Sequence, residues 1–585
     1  MAKLPATLAA IWLLAVCVQA AAPLHPAMIR TGVETAADFS TSDPELQRLY
    51  ETGRKQLLAN QSEIAPGLTV LVEGGGYSNV WLETQPMGGE MYAKFNPQVA
   101  LNNQLIFMRT QREDGRLPGM VVSGSRIGSL SKGGDGLPPG FQNLPELGLI
   151  ADYEMIQGYC FPEPALRMNA WIGGNRDYLV LLDRTLRRFD DYLWRTRDSN
   201  GDGLLETWCV WDTGEDGCTR LHERGAPESW PHETAPASPP LRQGVRVPFQ
   251  SMDFMAYSYS ARSVLARIAR ELGNGEEQKW RDAAAEVRRR VVEKLWNEER
   301  KACFDRDRDG VVLDELIHNN LRCMWHGLFT QEMADAFIAH HLLNPDEFWT
   351  PVPLVSIARN EPLYLSRPRN NWSGQPQGLT YQRAIHALER YGHVAEVSLL
   401  GRKLLPVLAL NNGRFSQQLD PINGKPSLSN SDGYGPMILA AFGYIDRMHG
   451  IHLDVERGEV WWSVLEVRGG RFKSSQRWAG HDFELELADG RFVAKVGGKV
   501  VFSGKPGMRV VSDLQGKVLA VVGIDSSTRE VELQAGSRTL KGQVAPNQIL
   551  RPVDSRLEVR ARVAFDYPGG LRVAAPQPFF SPAAP

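Results

Sequence analysis

Hydrophobic positions fall into two regimes along the chain: helical spacing up to about Gly450 and alternation after it. In the first regime Val264, Leu265, Ile268 and Leu272 share one helix face ahead of Gly273-Asn274-Gly275. Trp280, Ala284, Val287, Val291 and Leu295 then repeat at heptad-like spacing, so the segment predicts two helices joined by a glycine stop, an α-hairpin. Similar pairs are predicted for 153–170 with 176–195 and for 378–391 with 394–408. The loops between hairpins are rich in Gly, Pro, Asp and Trp and longer than a connector needs, the usual setting for function on a regular scaffold. In the second regime Phe483, Leu485 and Leu487 alternate up to Asp489-Gly490, and Phe492, Ala494 and Val496 up to Gly497-Gly498. These are hairpin signals, predicting antiparallel β structure over about 460–573.

The fold class expected is mainly α: hairpins closing into an (α/α)6 toroid, followed by a C-terminal antiparallel β domain. The boundaries read as a signal peptide at 1–22, an N-terminal arm at 23–70, a catalytic domain at 71–450, the β domain at 451–575 and a Pro-rich tail at 576–585. Met1-Ala2-Lys3, an apolar run from Leu8 to Val18 and the exit Val18-Gln19-Ala20 have the order of a secretory signal, so a secreted or periplasmic protein is expected. No later stretch has the eighteen apolar residues of a membrane span.

At 585 residues and a net charge of −3, with no basic stripe, the chain points away from nucleic acid and towards a neutral substrate. Removing the signal leaves Cys160, Cys209, Cys218, Cys303 and Cys323; Cys209 and Cys218 are a candidate bridge, and no C-x-x-C pair marks a zinc site.

The richest stretch chemically is Trp211-Asp212-Thr213-Gly214-Glu215-Asp216-Gly217, with Trp208 before it. Indole faces stack on the C–H side of a pyranose, and a carboxylic acid held protonated beside them can donate to a leaving oxygen. Asp198, Asn200, Asp202 and Glu206 alternate oxygen donors around Gly201 and Gly203, a candidate Ca2+ loop shorter than a full EF-hand, with a plain hairpin turn as the alternative. Asp253 could bind a sugar hydroxyl or simply open the helix that follows it.

Four loop motifs follow in order: Tyr77 to Gly89 with Trp81 and Glu83, the 198–216 stretch, Asn370-Asn371-Trp372-Ser373-Gly374-Gln375-Pro376, and Phe415 to Gly424. Together they resemble the six-hairpin glycosidases related to glycoside hydrolase family 63, the mannosylglycerate hydrolases and, more distantly, trehalases. The resemblance covers roughly residues 70–450. It implies that Asp216 is the general acid, that Trp81 with Glu83 holds the buried sugar, and that Trp372, with Trp211, walls the site.

Where that group has its basic glutamate, this chain has Gln417, and an amide can orient a water but not take its proton. Asp432, in a glycine-flanked loop, is the preferred substitute base, with helix capping as its alternative; Asp420, before Pro421, reads as a turn initiator. The leading reading is a secreted glycoside hydrolase that cleaves α-linked glucosides or mannosides by inversion and requires no cofactor. A glycan-binding homologue that has lost its base, and a lyase or uronyl hydrolase on a similar toroid, stand as alternatives.

Overall fold

The computed structural model describes residues 29–131, 136–236, 247–369, 371–427 and 432–564. The expected signal segment, Asn370 and the Pro-rich tail lie outside them. Twelve helices organise the first part: α1 (Pro44–Ala59), α2 (Gln85–Tyr92), α3 (Pro97–Arg109), α4 (Pro162–Trp171), α5 (Arg176–Thr196) and α6 (Met252–Leu272). They continue as α7 (Glu277–Lys294), α8 (Asn319–Trp325), α9 (Gln331–Phe337), α10 (Gly378–Arg390), α11 (Val394–Leu410) and α12 (Gly435–His449).

Local chemistry sets their ends. Asp43, Asn96, Asn175 and Ser251 cap α1, α3, α5 and α6 with side-chain oxygens that accept first-turn N–H groups. Proline, which needs no N–H there, opens α1, α3, α4 and α12. Gly273 ends α6 at φ 66°, a left-handed cap that L side chains resist, so the α6–α7 hairpin forms as its sequence predicts.

The even-numbered helices meet in a closed cycle: α2 packs on α4, α4 on α6, α6 on α8, α8 on α10, α10 on α12, and α12 back on α2. Their partners α3, α5, α7, α11 and α1 pack outside them, α1 against both α11 and α12. The cycle is buried nearly all round, as in α10, where Leu379, Tyr381, Ala384, Ile385 and Leu388 are covered.

Residues 451–564 build most of a 13-stranded sheet. Every pairing is antiparallel except Arg538–Val544 with Arg556–Arg562, which is parallel. Phe483, Leu485 and Leu487 point into its core as the alternation predicts. No helix among the described residues is long and apolar enough to cross a membrane.

Three expectations change. The predicted helix over 153–170 starts only at Pro162, because Gln157 and Gly158 both take positive φ (57° and 65°) and turn the chain towards Glu83 instead. The N-terminal arm is no separate appendage: Thr35–Thr41 pairs antiparallel with Phe472–Trp478 at one edge of the large sheet, and α1 completes the outer layer. Cys209 and Cys218 are free, buried thiols rather than a bridge.

Candidate active site

All six inner helices present their N-terminal ends to one place. Glu83 stands just before α2, Gln157 and Gly158 before α4, Asp253 and Asn319 in the first turns of α6 and α8, Gln377 before α10 and Tyr434 before α12. Helix N-termini carry partial positive charge, so this end of the cycle favours carboxylates.

The acid-rich loop is held by its neighbours. Asp212 is fully buried, pairs with Arg197 at 2.5 Å and accepts from the N–H groups of Trp208 (2.8 Å) and Ile156 (3.0 Å). Arg197 holds its carboxyl below the ordinary range. Glu215 accepts from Arg220 at 3.1 Å, Asn319 at 2.9 Å and Thr213 at 2.7 Å, and Arg220 and Arg322 keep its pKa at about 2. These two carboxylates are committed to structure; Asp216, the third of the trio, is only half-buried.

Loop 371–378 grips the same segment. Trp372 N–H donates to the Asp216 carbonyl (3.0 Å), Asn371 Nδ2 to the Gly217 carbonyl (2.9 Å), and Thr219 N–H to Ser373 Oγ (2.8 Å). Gln418 in turn donates to the Asn371 carbonyl (3.3 Å) and to Gln375 Oε1 (2.9 Å), and Gly378 N–H donates to the Gln417 carbonyl (2.9 Å). Three motifs far apart in sequence thus form one interlocked floor.

Glu83 lies directly against the acid-rich loop. It is buried, pairs with Arg383 at 3.2 Å, and lies so close to Gly214 that a Cβ there would sit 2.5 Å from its carboxyl. Glycine at 214, with φ 68°, is what lets the acid loop rest on Glu83. Burial raises the Glu83 pKa while Arg383 and Arg322 oppose it.

Asp253 is fully buried inside α6, where Ser251 is the cap; it accepts from Asn319 (2.7 Å) and Arg322 (3.2 Å), and burial lifts its pKa to about 7. Trp81 and Trp211 flank one apolar cluster of Met120, Val122, Ile150, Met155 and Cys209. Trp372 is covered instead by His318 (ring centroids 5.4 Å apart) and Arg322. Trp208 is interior: Arg197 lies 4.0 Å over its ring, and its Nε1 donates to Glu206 at 2.9 Å.

Buried Trp81 Nε1, Asp253 Oδ1, His318 Nε2, Asn319 Oδ1 and Arg383 Nη1 find no hydrogen-bond partner among the described residues. Buried polar atoms are rarely left so, and mixed donors and acceptors at one place match the hydroxyl groups of a sugar.

Asp432 does not join this group. It is exposed, and its Oδ1 accepts from Phe415 N–H (3.2 Å) and Gln56 Nε2 (3.4 Å), fastening the loop to α1. The carboxylate missed in sequence is Glu73. It lies in Val72-Glu73-Gly74-Gly75-Gly76-Tyr77, is buried, and accepts from Tyr434 OH at 2.9 Å. Burial first, and then the charges of Glu83 and Asp216, push its pKa well above the ordinary value. Tyr77 OH reaches Gln417 Oε1 at 3.1 Å. A carboxylate followed by three glycines was the available signal: Gly74, at φ 77°, lets the chain double back against Asn60 and the Gly433 carbonyl.

The side-chain oxygens of the 198–206 loop are engaged by protein donors. Asp198 Oδ1 accepts from Gly203 N–H (3.2 Å), Asp202 from Leu204 N–H (2.9 Å), Asn200 Nδ2 (2.9 Å) and Gln250, and Glu206 from Ser199 OH (2.9 Å) and Trp208. Among the described residues no group of three or more His, Cys, Asp or Glu is placed to hold a metal ion.

Residues 91–435 match the family described as the mannosylglycerate hydrolase MGH1-like glycoside hydrolase domain, and the chain belongs to it. No curated protein matches the chain. Among solved structures, the family 63 mannosylglycerate hydrolase from Thermus thermophilus in complex with glucose is 16% identical, with a TM-score of 0.52 over 68% of this chain and 99% of that one. The same enzyme with Tris and D-glycerate gives 0.50 at 16% identity and the same coverage. A sialidase is 13% identical, with a TM-score of 0.57 over 82% of this chain and 41% of that one. The structural likenesses speak to fold; the family match makes the chain a glycosidase.

Proposed function

We propose that this member of the mannosylglycerate hydrolase-like glycoside hydrolases cleaves a small α-linked glucoside or mannoside by inversion, with Asp216 as the general acid. The observation that carries the reading is the convergence of Asp216, Glu83 and Glu73 at the N-terminal ends of the inner helices, beside buried polar atoms that await partners. The closed cycle of inner helices with partners outside supports an (α/α)6 toroid. The N-terminal sequence supports export, with the site working in a secreted or periplasmic protein.

In this reading the ring of the sugar lies against Trp81 and Trp211, while Trp372, covered by His318 and Arg322, backs the acid loop. Burial keeps His318 neutral, its pKa well below the ordinary value, so it acts as a hydrogen-bonding group and not as a charge. Glu83, held by Arg383, accepts from sugar hydroxyls. Asp216 protonates the glycosidic oxygen as the C1–O bond breaks, and water enters from the opposite face, which requires acid and base about 6.5–9.5 Å apart. Both catalytic groups are protein carboxylates, so the reaction calls on no cofactor.

The name of the Thermus enzyme makes mannosylglycerate the first substrate to try, with α-linked disaccharides beside it. Release of sugar followed by proton NMR in the first minutes should show the β-anomer. Asp216→Asn should lower kcat on these substrates by about 10³-fold with folding intact. Activity within threefold of wild type, or the α-anomer as first product, would remove Asp216 or inversion from the reading.

A further inference from the structure

We propose that Glu73 is the general base, with Gln417 and Tyr77 positioning the attacking water; this rests on the glycosidase reading above. Gln417 stands where the resembling enzymes keep their base, and it cannot accept a proton. Asp432 is exposed and engaged with Phe415 and Gln56. Glu83 and Asp253 are paired with Arg383 and Arg322, whereas Glu73 has no such cation and its neighbours reach both sides of the site: it feels the charge of Asp216, and it shares the Tyr77–Tyr434 aromatic pair with Gln417.

Its placement is built, not incidental. The Glu73 carbonyl accepts from Gly435 N–H at 2.7 Å, at the start of α12, and its own N–H donates to the Asn79 carbonyl at 3.3 Å. Gly74 and Tyr77 exchange two backbone hydrogen bonds of 3.0 Å, closing a turn that sets the Tyr77 ring 6.4 Å from that of Tyr434. Tyr434 OH occupies Oε1, and Oε2 accepts nothing from the described residues. No arginine or lysine pairs with Glu73 among them, unlike Glu83, Asp212 and Glu215. A carboxyl with one oxygen oriented and the other open, in a buried place without a cation, is a proton acceptor of raised basicity.

The step balances as follows. Water, oriented by the Gln417 side chain, attacks C1 from the face opposite the leaving group, and the Glu73 carboxylate takes its proton as the new C1–O bond forms. The old C1–O bond breaks with its electron pair on the leaving oxygen, which takes the Asp216 proton. Glu73 ends protonated and Asp216 ionised, and exchange with solvent returns both.

The test compares Glu73→Gln and Asp216→Asn on two substrates, an α-linked disaccharide that wild type cleaves and the matching 4-nitrophenyl α-glycoside. A nitrophenolate leaves without a proton, so loss of the acid should be felt mainly on the disaccharide, whereas loss of the base should cut kcat on both by about 10³-fold with KM little changed. Glu73→Ala with added azide should form the β-glycosyl azide, the small anion entering where the water stood. The double variant Glu73→Gln/Gln417→Glu, which moves the carboxylate across to the family position, should recover part of the turnover.

Folding is checked by near-UV circular dichroism and by calorimetric binding of the product sugar. A folded Glu73→Gln that keeps more than a tenth of wild-type kcat, or that loses only affinity, overturns the assignment while leaving the glycosidase reading intact. Wild-type protein that releases no sugar from any α-glycoside overturns both.

Discussion

The two ends of the inner helices differ in how completely their buried carboxylates are paired. Around the C-terminal ends of α2, α6, α10 and α12 a cavity of about 480 Å³ lies beneath strands 451–454 and 459–464, lined by Glu90, Lys94, Glu389 and Arg447 and, from the first two turns of the short α4, by Glu163 and Arg167, among others. Every acid of that group is matched. Glu163 takes Arg267 at 2.9 Å and Arg390 at 3.3 Å, Glu90 takes Arg167 at 3.1 Å, and Glu389 takes Arg447 at 3.1 Å. At the N-terminal ends Glu73 has a tyrosine and no cation. Helix dipoles favour cations at one end and anions at the other, but pairing decides which carboxylate is settled and which is reactive. The paired end is structure; the end with an unpaired acid is where chemistry is stored.

The largest expected effect breaks the settled end. Glu163→Gln removes the anion that Arg390 pairs with and that Arg267 and Arg167 share with Glu456 and Glu90, and should cost about 3 kcal/mol of stability in urea unfolding at neutral pH. Activity per folded molecule should stay unchanged. A stability within about 0.5 kcal/mol of wild type would show the cluster to be a solvated surface network instead.

The pH dependence sharpens the contrast because the two acids carry opposite signs. Glu163 is held at about 2, below its unfolded value of 4.5, chiefly by Arg390 and Arg267 against the cost of burial. Its contribution is present above pH 4.5 and lost as pH falls from there towards 2. Glu73 is raised by burial, by Glu83 and by Asp216, with Tyr434 opposing. The folded state therefore holds that proton more tightly, and stability declines as pH rises above 4.5 until the folded group ionises. Glu73→Gln should remove this decline and be more stable than wild type at about pH 8 by about 1 kcal/mol, whereas Glu163→Gln should flatten the acid side. Parallel stability curves for wild type and Glu73→Gln across roughly pH 4–8 would mean that Glu73 is not perturbed.

What the sequence disclosed follows the range of the forces involved. The α6–α7 hairpin is legible because its stop, Gly273, and its apolar stripe are local. So are the strands around Asp489-Gly490, where alternation and turn chemistry agree. The strand Thr35–Thr41 is not: Phe39 is its one large buried side chain, and its partner lies more than four hundred residues away. In the site, the loops of Asp216, Glu83 and Trp372 stand out in sequence because they carry aromatic and glycine neighbours. Glu73 carries such neighbours too, in Gly74 to Gly76 and Tyr77, but its burial depends on Tyr434 and α12. Asp432 looked equivalent on paper, flanked by glycine in the same way, and only the fold places one inside and the other in solvent.

The smallest effect probes the single hydrogen bond that tunes the reactive end. Tyr434 is buried, its OH donates to Glu73 Oε1 at 2.9 Å, and donation to a carboxylate favours the ionised form. Tyr434→Phe removes that donor with almost no change of shape, so the Glu73 pKa should rise further and the pH optimum of kcat/KM should move upward by roughly half a unit. The direction holds whichever limb of the profile reports Glu73, because raising either pKa of a bell moves its midpoint up. Tyr77→Phe is the control: its OH donates to Gln417 and not to Glu73, so it should lower kcat by disturbing the water while leaving the optimum in place. Equal optima for wild type and Tyr434→Phe, with Tyr434→Phe folded and active, would put the titrating base elsewhere than Glu73.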